Sequence, residues 1–533
     1  MNADSQTQKE RRSRAEQRGN IYSNVIRVVF TAIIVSCEIA IIYISFYYLN
    51  KQFVWLNYLL TAAATVTVVT VYARHLNSAY RMFWMIVIVA NPLLGLICYA
   101  LFGRRNVTRR MENKYQKAHD RLDGMLTQHP EHPKVLRGMD ADMAGCAVYL
   151  TRQKYPLYAG TEAYFFGDTN EALQAQIEEL GKAKKFIFME YFAIEMKESF
   201  QKVLAVLMEK AKEGVEVRIF YDEIGSSKNI NRRFIDLMER CGIHCRVFNP
   251  IAPVFNVFMN NRDHRKITVI DGRVVFTGGY NLANEYFNIS HPYGRWKDAG
   301  VMLRGKAAET FTFLFLENWN VTSKKPCPAD ENWEYLSFAG GEKPYHTKAS
   351  SGFVQPFADS PLEDEWIGEE VYMNILRSAK KYVWITTPYL IITDEMKREL
   401  TGAAKRGVDV RIITPGIPDK IMVYQETRSY YQHLISGGVR IYEYRPGFLH
   451  EKMILSDDRM ACVGTLNMDY RSFYLHFEDG VMFYGGPIIG QIRRDTEEIL
   501  RVSEEVTSRY AREAQSLVLR MIRGFLRVIA PML

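Results

Sequence analysis

The chain has 533 residues, 48% of them hydrophobic and 24% charged, and a formal net charge of +8. The length exceeds one ordinary domain, and the composition excludes a disordered or low-complexity chain. The positive balance favours an anionic partner without choosing among a lipid surface, nucleic acid and a phosphorylated substrate.

A basic tail, 1–20, opens the chain, and a membrane region, 21–105, follows it. Three apolar segments fill that region: 28–49, interrupted only by Glu38; Val54–Tyr72, free of charge; and 82–102. About 20 apolar residues suffice for one helix across a bilayer. Arg18 and Arg27 precede the first segment, Arg74 and Arg81 follow the second, and Arg104 and Arg105 follow the third. Lys51 alone separates the first two. Cytoplasmic loops carry the excess of Lys and Arg, so the first two segments are expected to span with only Lys51 outside. Asn91-Pro92 and Gly95 break the third segment, which reads as re-entrant or interfacial. This topology leaves everything after 105 in the cytoplasm. The stretch 106–150, with His129-Pro130 and His132-Pro133, is expected as helix plus linker. The seven cysteines are scattered and form no disulfide framework, which suits a reducing compartment. Cys241 and Cys245 have no second cluster to complete a metal clip and read as strand-edge sequence.

The remainder repeats itself, and 151–345 and 346–533 form two halves. Ala183-Lys184-Lys185-Phe186 matches Ala379-Lys380-Lys381-Tyr382. Gly214-Val215 within 211–219 matches Gly407-Val408 within 404–412, and His264-Arg265-Lys266 matches His450-Glu451-Lys452. Three matches in one order mean duplication. Each half runs from an apolar β-rich segment to a helix ending in Gly and then to a second β segment, which predicts an α/β sandwich.

The chemistry-bearing pattern occurs once per half. It is His264, Lys266 and Asp271 followed by Gly278 and Asn281, and His450, Lys452 and Asp457 followed by Gly464 and Asn467, with identical internal spacing. Residues i and i+2 of a strand share a face, so each histidine stands beside its lysine. A phosphodiester needs cations and amide donors at its non-bridging oxygens, which Lys266, Lys452, Asn281 and Asn467 are expected to supply. It also needs a nucleophile and an acid, and two opposed histidines provide both. Asp271 and Asp457 are assigned to holding the motif turn. A catalytic imidazole needs its second nitrogen held by a carboxylate. Asp298, 34 residues past His264, and Glu478, 28 past His450, are expected to orient the histidines. No carboxylate cluster suited to a catalytic metal accompanies the motifs, so neither cofactor nor metal is expected in the chemistry.

These paired motifs resemble those of the phospholipase D superfamily. Within it the chain is similar to the bacterial cardiolipin synthases, through Pro92-Leu93-Leu94-Gly95, Phe102-Gly103-Arg104, Glu285-Tyr286 and the run Asn467, Asp469, Arg471-Ser472, Phe477-Glu478. The resemblance covers nearly the whole chain. One departure is the third apolar segment, where the family usually has two. The resemblance implies two duplicated α/β sandwich halves forming one active site, preceded by N-terminal transmembrane helices in a bacterial plasma membrane. It implies transfer of a phosphatidyl group from one phosphatidylglycerol to another through a phosphatidyl-histidine, without a nucleotide. By the superfamily's usual order His264 attacks and His450 is the general acid. A hydrolytic phospholipase D, or a transferase with another alcohol acceptor, fits the same motifs. A nuclease gains little from apolar segments, so no nucleic acid is expected, and two intact motifs argue against an inactive lipid-binding scaffold. Two further segments are candidates for touching an anionic membrane: the apolar run 251–259, and the basic amphipathic stretch 517–533 with Leu519, Ile522, Leu526 and Ile529 at helical spacing.

Overall fold

The computed structural model describes Ala40 and residues 54–74, 78–103, 109–227, 230, 232–249, 261–322, 332, 334–336, 352–363, 365–512, 521, 523, 524 and 527. Apart from Ala40, the expected first span lies outside these residues, as do Lys51, the run 251–259 and most of 517–533. The chain divides into two compact units, 1–105 and 106–533.

In the first unit, Val54–Tyr72 is one uninterrupted helix of 19 residues, the one described helix long and apolar enough to cross a membrane. Trp55, Tyr58, Val66 and Val69 lie exposed on it. The third apolar segment is broken. Helix Ser78–Ala90 stops at Asn91, whose side chain accepts the Leu94 N–H at 3.0 Å and starts a new helix, Pro92–Cys98. Proline has no N–H to donate and fits the first turn of a helix, so the break falls where Asn91-Pro92 dictates.

The second unit holds two sheets with one plan. In the first half, β2 (Glu162–Phe166), β10 (Gly300–Arg304), β8 (Val274–Gly278), β7 (Lys266–Ile270), β3 (Phe186–Tyr191), β4 (Glu216–Asp222) and β5 (Ile243–Phe248) lie side by side in that order. In the second half the same path runs β11 (Phe353–Asp359), β18 (His476–Tyr484), β17 (Met460–Gly464), β16 (Met453–Ser456), β12 (Tyr382–Thr386), β13 (Asp409–Pro415) and β14 (Arg440–Tyr444). Each sheet has a parallel trio, β3-β4-β5 or β12-β13-β14, joined antiparallel to the motif hairpin. Helices Glu198–Lys212 and Asp394–Lys405 cross over between the parallel strands, as parallel pairing requires.

Short strands stitch the halves crosswise. β6 (Arg262–Asp263), just before His264, pairs with His476 and Phe477 of β18 in the other half. β15 (Gly447–Leu449), just before His450, pairs with β9 (Arg295–Lys297) of the first half. A further strand, β1 (Tyr158–Ala159), joins the outer edge of the second sheet through β11, and β19 (Ser503–Glu505) closes the opposite edge. The sheets share a core built on helix Ala308–Thr322, where Phe188 stacks on Phe315 at 4.6 Å and both are fully buried. Burying a side chain of this kind contributes roughly 1.5–3 kcal/mol. The stretch expected as helix plus linker folds into helices Arg109–Leu122, His132–Met139 and Ala141–Arg152, and Tyr115 there donates to Asn318 at 3.1 Å. That part of the chain is therefore packed into the catalytic body.

Candidate active site

Both histidines stand where the chain leaves the other half's strand and enters its own sheet. His264 lies between β6 and β7, and its N–H donates to Phe477 O at 2.9 Å; His450 lies between β15 and β16, and its N–H donates to Lys297 O at 2.7 Å. Asp222 fixes the first crossing. Its buried carboxylate takes Arg262 Nε at 2.9 Å and the Asp263 N–H at 3.1 Å.

Asp298 and Glu478 do reach the imidazoles, but crosswise. His264 Nδ1 stands 2.9 Å from both Glu478 oxygens, and His450 Nδ1 stands 2.6 Å from Asp298 Oδ2. This corrects the expectation that pairs each histidine with the acid downstream of it in its own half. The reason is the strand crossing: β6 runs beside the start of β18, and β15 beside β9, so each histidine lands next to the other half's carboxylate. Gly279 makes room for one of these acids, since a Cβ there would lie 2.0 Å from Asp298 Oδ1.

All four groups are buried, and burial sets their charge. Desolvation pulls His264 down to about 3 and His450 to about 4, against the pull of their carboxylates, so both imidazoles rest neutral. Burial would raise Glu478, yet the electrostatic pull of His264, then its hydrogen bond and that of His476, win and hold it well below the usual range. Burial alone likewise raises Asp298, and the charges of Lys452 and His450 pull it down. Lys266 drops to about 8 and Lys452 to about 7, chiefly by desolvation. Lys266 Nζ donates to His264 O at 2.5 Å, and Lys452 Nζ donates to His450 O and stands 2.7 Å from His450 Nδ1.

Asp271 and Asp457 sit at the motif turns. Each carboxylate accepts three backbone N–H groups at the start of the strand beside its motif, β3 or β12: Lys184, Lys185 and Phe186 for Asp271; Lys380, Lys381 and Tyr382 for Asp457. Both have positive φ, 51° and 55°, which Asp tolerates better than most residues. Asn281 is already engaged: its oxygen takes the Ala193 N–H at 3.0 Å and its nitrogen donates to Tyr286 Oη at 2.8 Å, leaving one N–H over. Asn467 is buried, and its side-chain oxygen has no hydrogen-bond partner among the described residues.

Residues absent from the sequence expectations complete the walls. Trp296, Tyr286 and Phe448 surround His450 with ring centroids at 5.0, 5.4 and 5.7 Å. His264 instead meets Phe192 at 5.0 Å and a third imidazole, His476, at 5.5 Å. Trp296 and His476 occupy the same place in the duplication, two residues before Asp298 and Glu478. That offset was available in the sequence, but only an aligned pair of halves singles it out. His264, His476 and Glu478 have ligand atoms within 4.8 Å of one another. Because His264 Nδ1 already meets the carboxylate at hydrogen-bond length, the group reads as a hydrogen-bonded dyad with an added imidazole. The arrangement offers two neutral imidazoles, each with Nδ1 against a carboxylate, and two lysines in a buried setting.

A family model described as "Cardiolipin synthase, PLD-like domain" matches residues 176–299 and 372–500, one match per half. A second, "Phospholipase_D-nuclease N-terminal", matches 59–104. Among curated proteins, the cardiolipin synthase of Geobacillus kaustophilus is 31% identical over 96% of this chain and all of its own length. Cardiolipin synthase 2 of Bacillus anthracis is 32% identical over 89% of this chain and 90% of its own. An uncharacterized protein of Streptococcus mutans is 37% identical over 84% and 96%. The crystal structure of a phosphatidylserine synthase from Haemophilus influenzae shares the fold, with a TM-score of 0.51 at 16% identity over 69% of this chain and 94% of that one.

Proposed function

The chain belongs to the cardiolipin synthase family of phospholipase D-like phosphatidyltransferases, and on that premise we propose that it joins two phosphatidylglycerol molecules into cardiolipin and releases glycerol. The observation that carries the mechanism is the pair of crossed dyads, His264 with Glu478 and His450 with Asp298. Each carboxylate accepts the Nδ1–H of its histidine, which leaves Nε2 with the lone pair. His264 Nε2 attacks phosphorus. His450 takes up a proton on Nε2 when the anionic phosphodiester binds beside it, and the bond to the leaving glycerol oxygen then breaks as His450, now an imidazolium, donates that proton to the oxygen. The hydroxyl of a second phosphatidylglycerol then loses its proton to His450 and attacks phosphorus, breaking the P–N bond. Lys266 and Lys452 offset the charge on the non-bridging oxygens, with the free N–H of Asn281 and the amide of Asn467 beside them.

The unequal walls support this division of labour. Aromatic rings around His450 favour its cationic form, as a general acid requires. A second imidazole, His476, stands beside His264 alone and disfavours a cation there, as a nucleophile requires. The apolar helix Val54–Tyr72 supports association with a membrane, where both substrates reside. Our reading of its topology is multi-pass, with both catalytic halves on the cytoplasmic side of a bacterial plasma membrane and the basic chain against anionic lipid.

The test is purified protein, phosphatidylglycerol alone in detergent, and separation of products. Cardiolipin and glycerol in equal amounts support the reading. Phosphatidic acid without cardiolipin makes the enzyme a hydrolase and overturns it.

A further inference from the structure

Away from the catalytic dyads, the segment leading into helix His132–Met139 brings two imidazoles onto one carboxylate. His129 Nδ1 and His132 Nε2 each stand 3.5 Å from the same oxygen, Oε1 of Glu131. The three ligand atoms lie within 4.8 Å of one another. A separation of 3.5 Å is longer than a good hydrogen bond of about 2.7–3.2 Å. It matches the edge of a tetrahedron, because ligands about 2.1 Å from a zinc ion stand roughly 3.4 Å apart. The catalytic dyads differ here, since both meet at 2.9 Å or less.

The surroundings prepare these atoms for an ion. His132 Nδ1 lies 2.6 Å from Leu157 O. A carbonyl only accepts, so Nδ1 carries a proton, which leaves Nε2 as the ring's ligand atom facing Glu131. Protein ligands of metal ions are commonly held in this way by the far ring nitrogen. The two rings stack at 4.7 Å, with His129 edge-on to Tyr158 at 6.0 Å and His132 against Phe353 at 5.7 Å. Both are mostly buried, with side-chain exposures of 16% and 20%. Glu131 precedes the helix but makes no side-chain cap bond, so its carboxylate has no capping duty.

We propose that His129, Glu131 and His132 form a binding site for a divalent transition-metal ion of the zinc type, separate from the active site, with water or another donor in the fourth position. Two imidazoles and one carboxylate suit zinc over magnesium or calcium, which take all-oxygen sets. The ion would clasp the segment that enters helix His132–Met139 and, through Leu157, the start of β1 at the edge of the second half's sheet.

The experiment uses full-length protein in detergent, stripped with a chelator, and Zn2+ as the probe in competition with a chromogenic chelator. Wild type should bind one tight equivalent and melt at a higher temperature with Zn2+ than with Mg2+. His129→Gln and Glu131→Gln should each weaken binding about tenfold or more and lose the melting shift, while their zinc-free synthesis rates stay at the wild-type level, which shows that they fold. Wild type without tight Zn2+, or equal affinity in wild type and both variants, overturns the proposal. So does loss of the ion in His476→Gln with retention in His129→Gln, which assigns it to the active site instead.

Discussion

The two halves follow one plan and differ at matched positions. Their sheets have the same strand order, their motif aspartates make the same three hydrogen bonds, and their lysines reach back to the same carbonyl. At matched positions, however, Asp298 faces Glu478, Trp296 faces His476 and Arg265 faces Glu451. Arg265 is fully buried, 3.8 Å from Glu190, whereas Glu451 pairs with Lys297 at 3.2 Å. Duplication therefore supplies two similar scaffolds, and the crossing strands make neither sufficient. Each half carries a histidine that the other half aims, and the unlike walls let two copies of one motif take different roles.

The largest effect should come from uncoupling a dyad. Glu478→Gln keeps the shape but removes the charge that holds His264, and Asp298→Asn does the same to His450. Each should lower the rate of cardiolipin synthesis by about 10²–10⁴, the range for removing general acid–base function. A loss below tenfold in both, in a kinetic assay on mixed micelles, would mean that the carboxylates are spectators. Asp222→Ala tests the crossing itself. It strands the buried Arg262 cation and should cost about 3–5 kcal/mol of stability, read as a lower midpoint in denaturant. A change near zero would show that β6 is held without this pair. Gly279→Ala forces Asp298 away from His450 and should lower kcat by tens-fold with little change in KM. An unaltered kcat would show that the carboxylate has room to move.

The smallest effect is the pH dependence. Lys452 loses its proton as pH rises through about 7 and Lys266 through about 8, so kcat/KM should fall on the alkaline side between those values. Stability runs the other way. Unfolded lysine holds its proton to about 10.4, so the unfolded chain binds more protons above pH 7, and the destabilisation that these two buried cations impose at lower pH is relieved progressively up to about pH 10. Lys452→Met should shift the alkaline fall to the remaining lysine, near pH 8. A profile flat from pH 6 to 9 would contradict the depressed lysines.

Much of the site was legible because it rests on spacing. The paired motifs and their turn-holding aspartates stand at identical offsets, and the acids Asp298 and Glu478 stand on corresponding later apolar runs, 34 and 28 residues past the histidines. The crossing was not legible, because β6 and β15 are only two and three residues long, too short for any periodicity, and their partners lie in the other half. The pair Arg262 and Asp222 was hidden for the same reason, being 40 residues apart in sequence. Trp296 and His476 carry no motif and acquire meaning only when one half is laid on the other. The stretch 106–150 read as helix plus linker because it is polar and basic over most of its length, while the side chains that bury it, Tyr115, Leu122, Leu136 and Leu150 among them, are spread along it.

The crossed dyads can be separated with a phosphatidyl ester of p-nitrophenol, whose leaving group needs no added proton. Its burst of nitrophenol reports the attacking histidine alone. The account predicts that Asp298→Asn retains the burst and stalls at the adduct, whereas Glu478→Gln loses the burst altogether. A burst that survives in Glu478→Gln and vanishes in Asp298→Asn would contradict it.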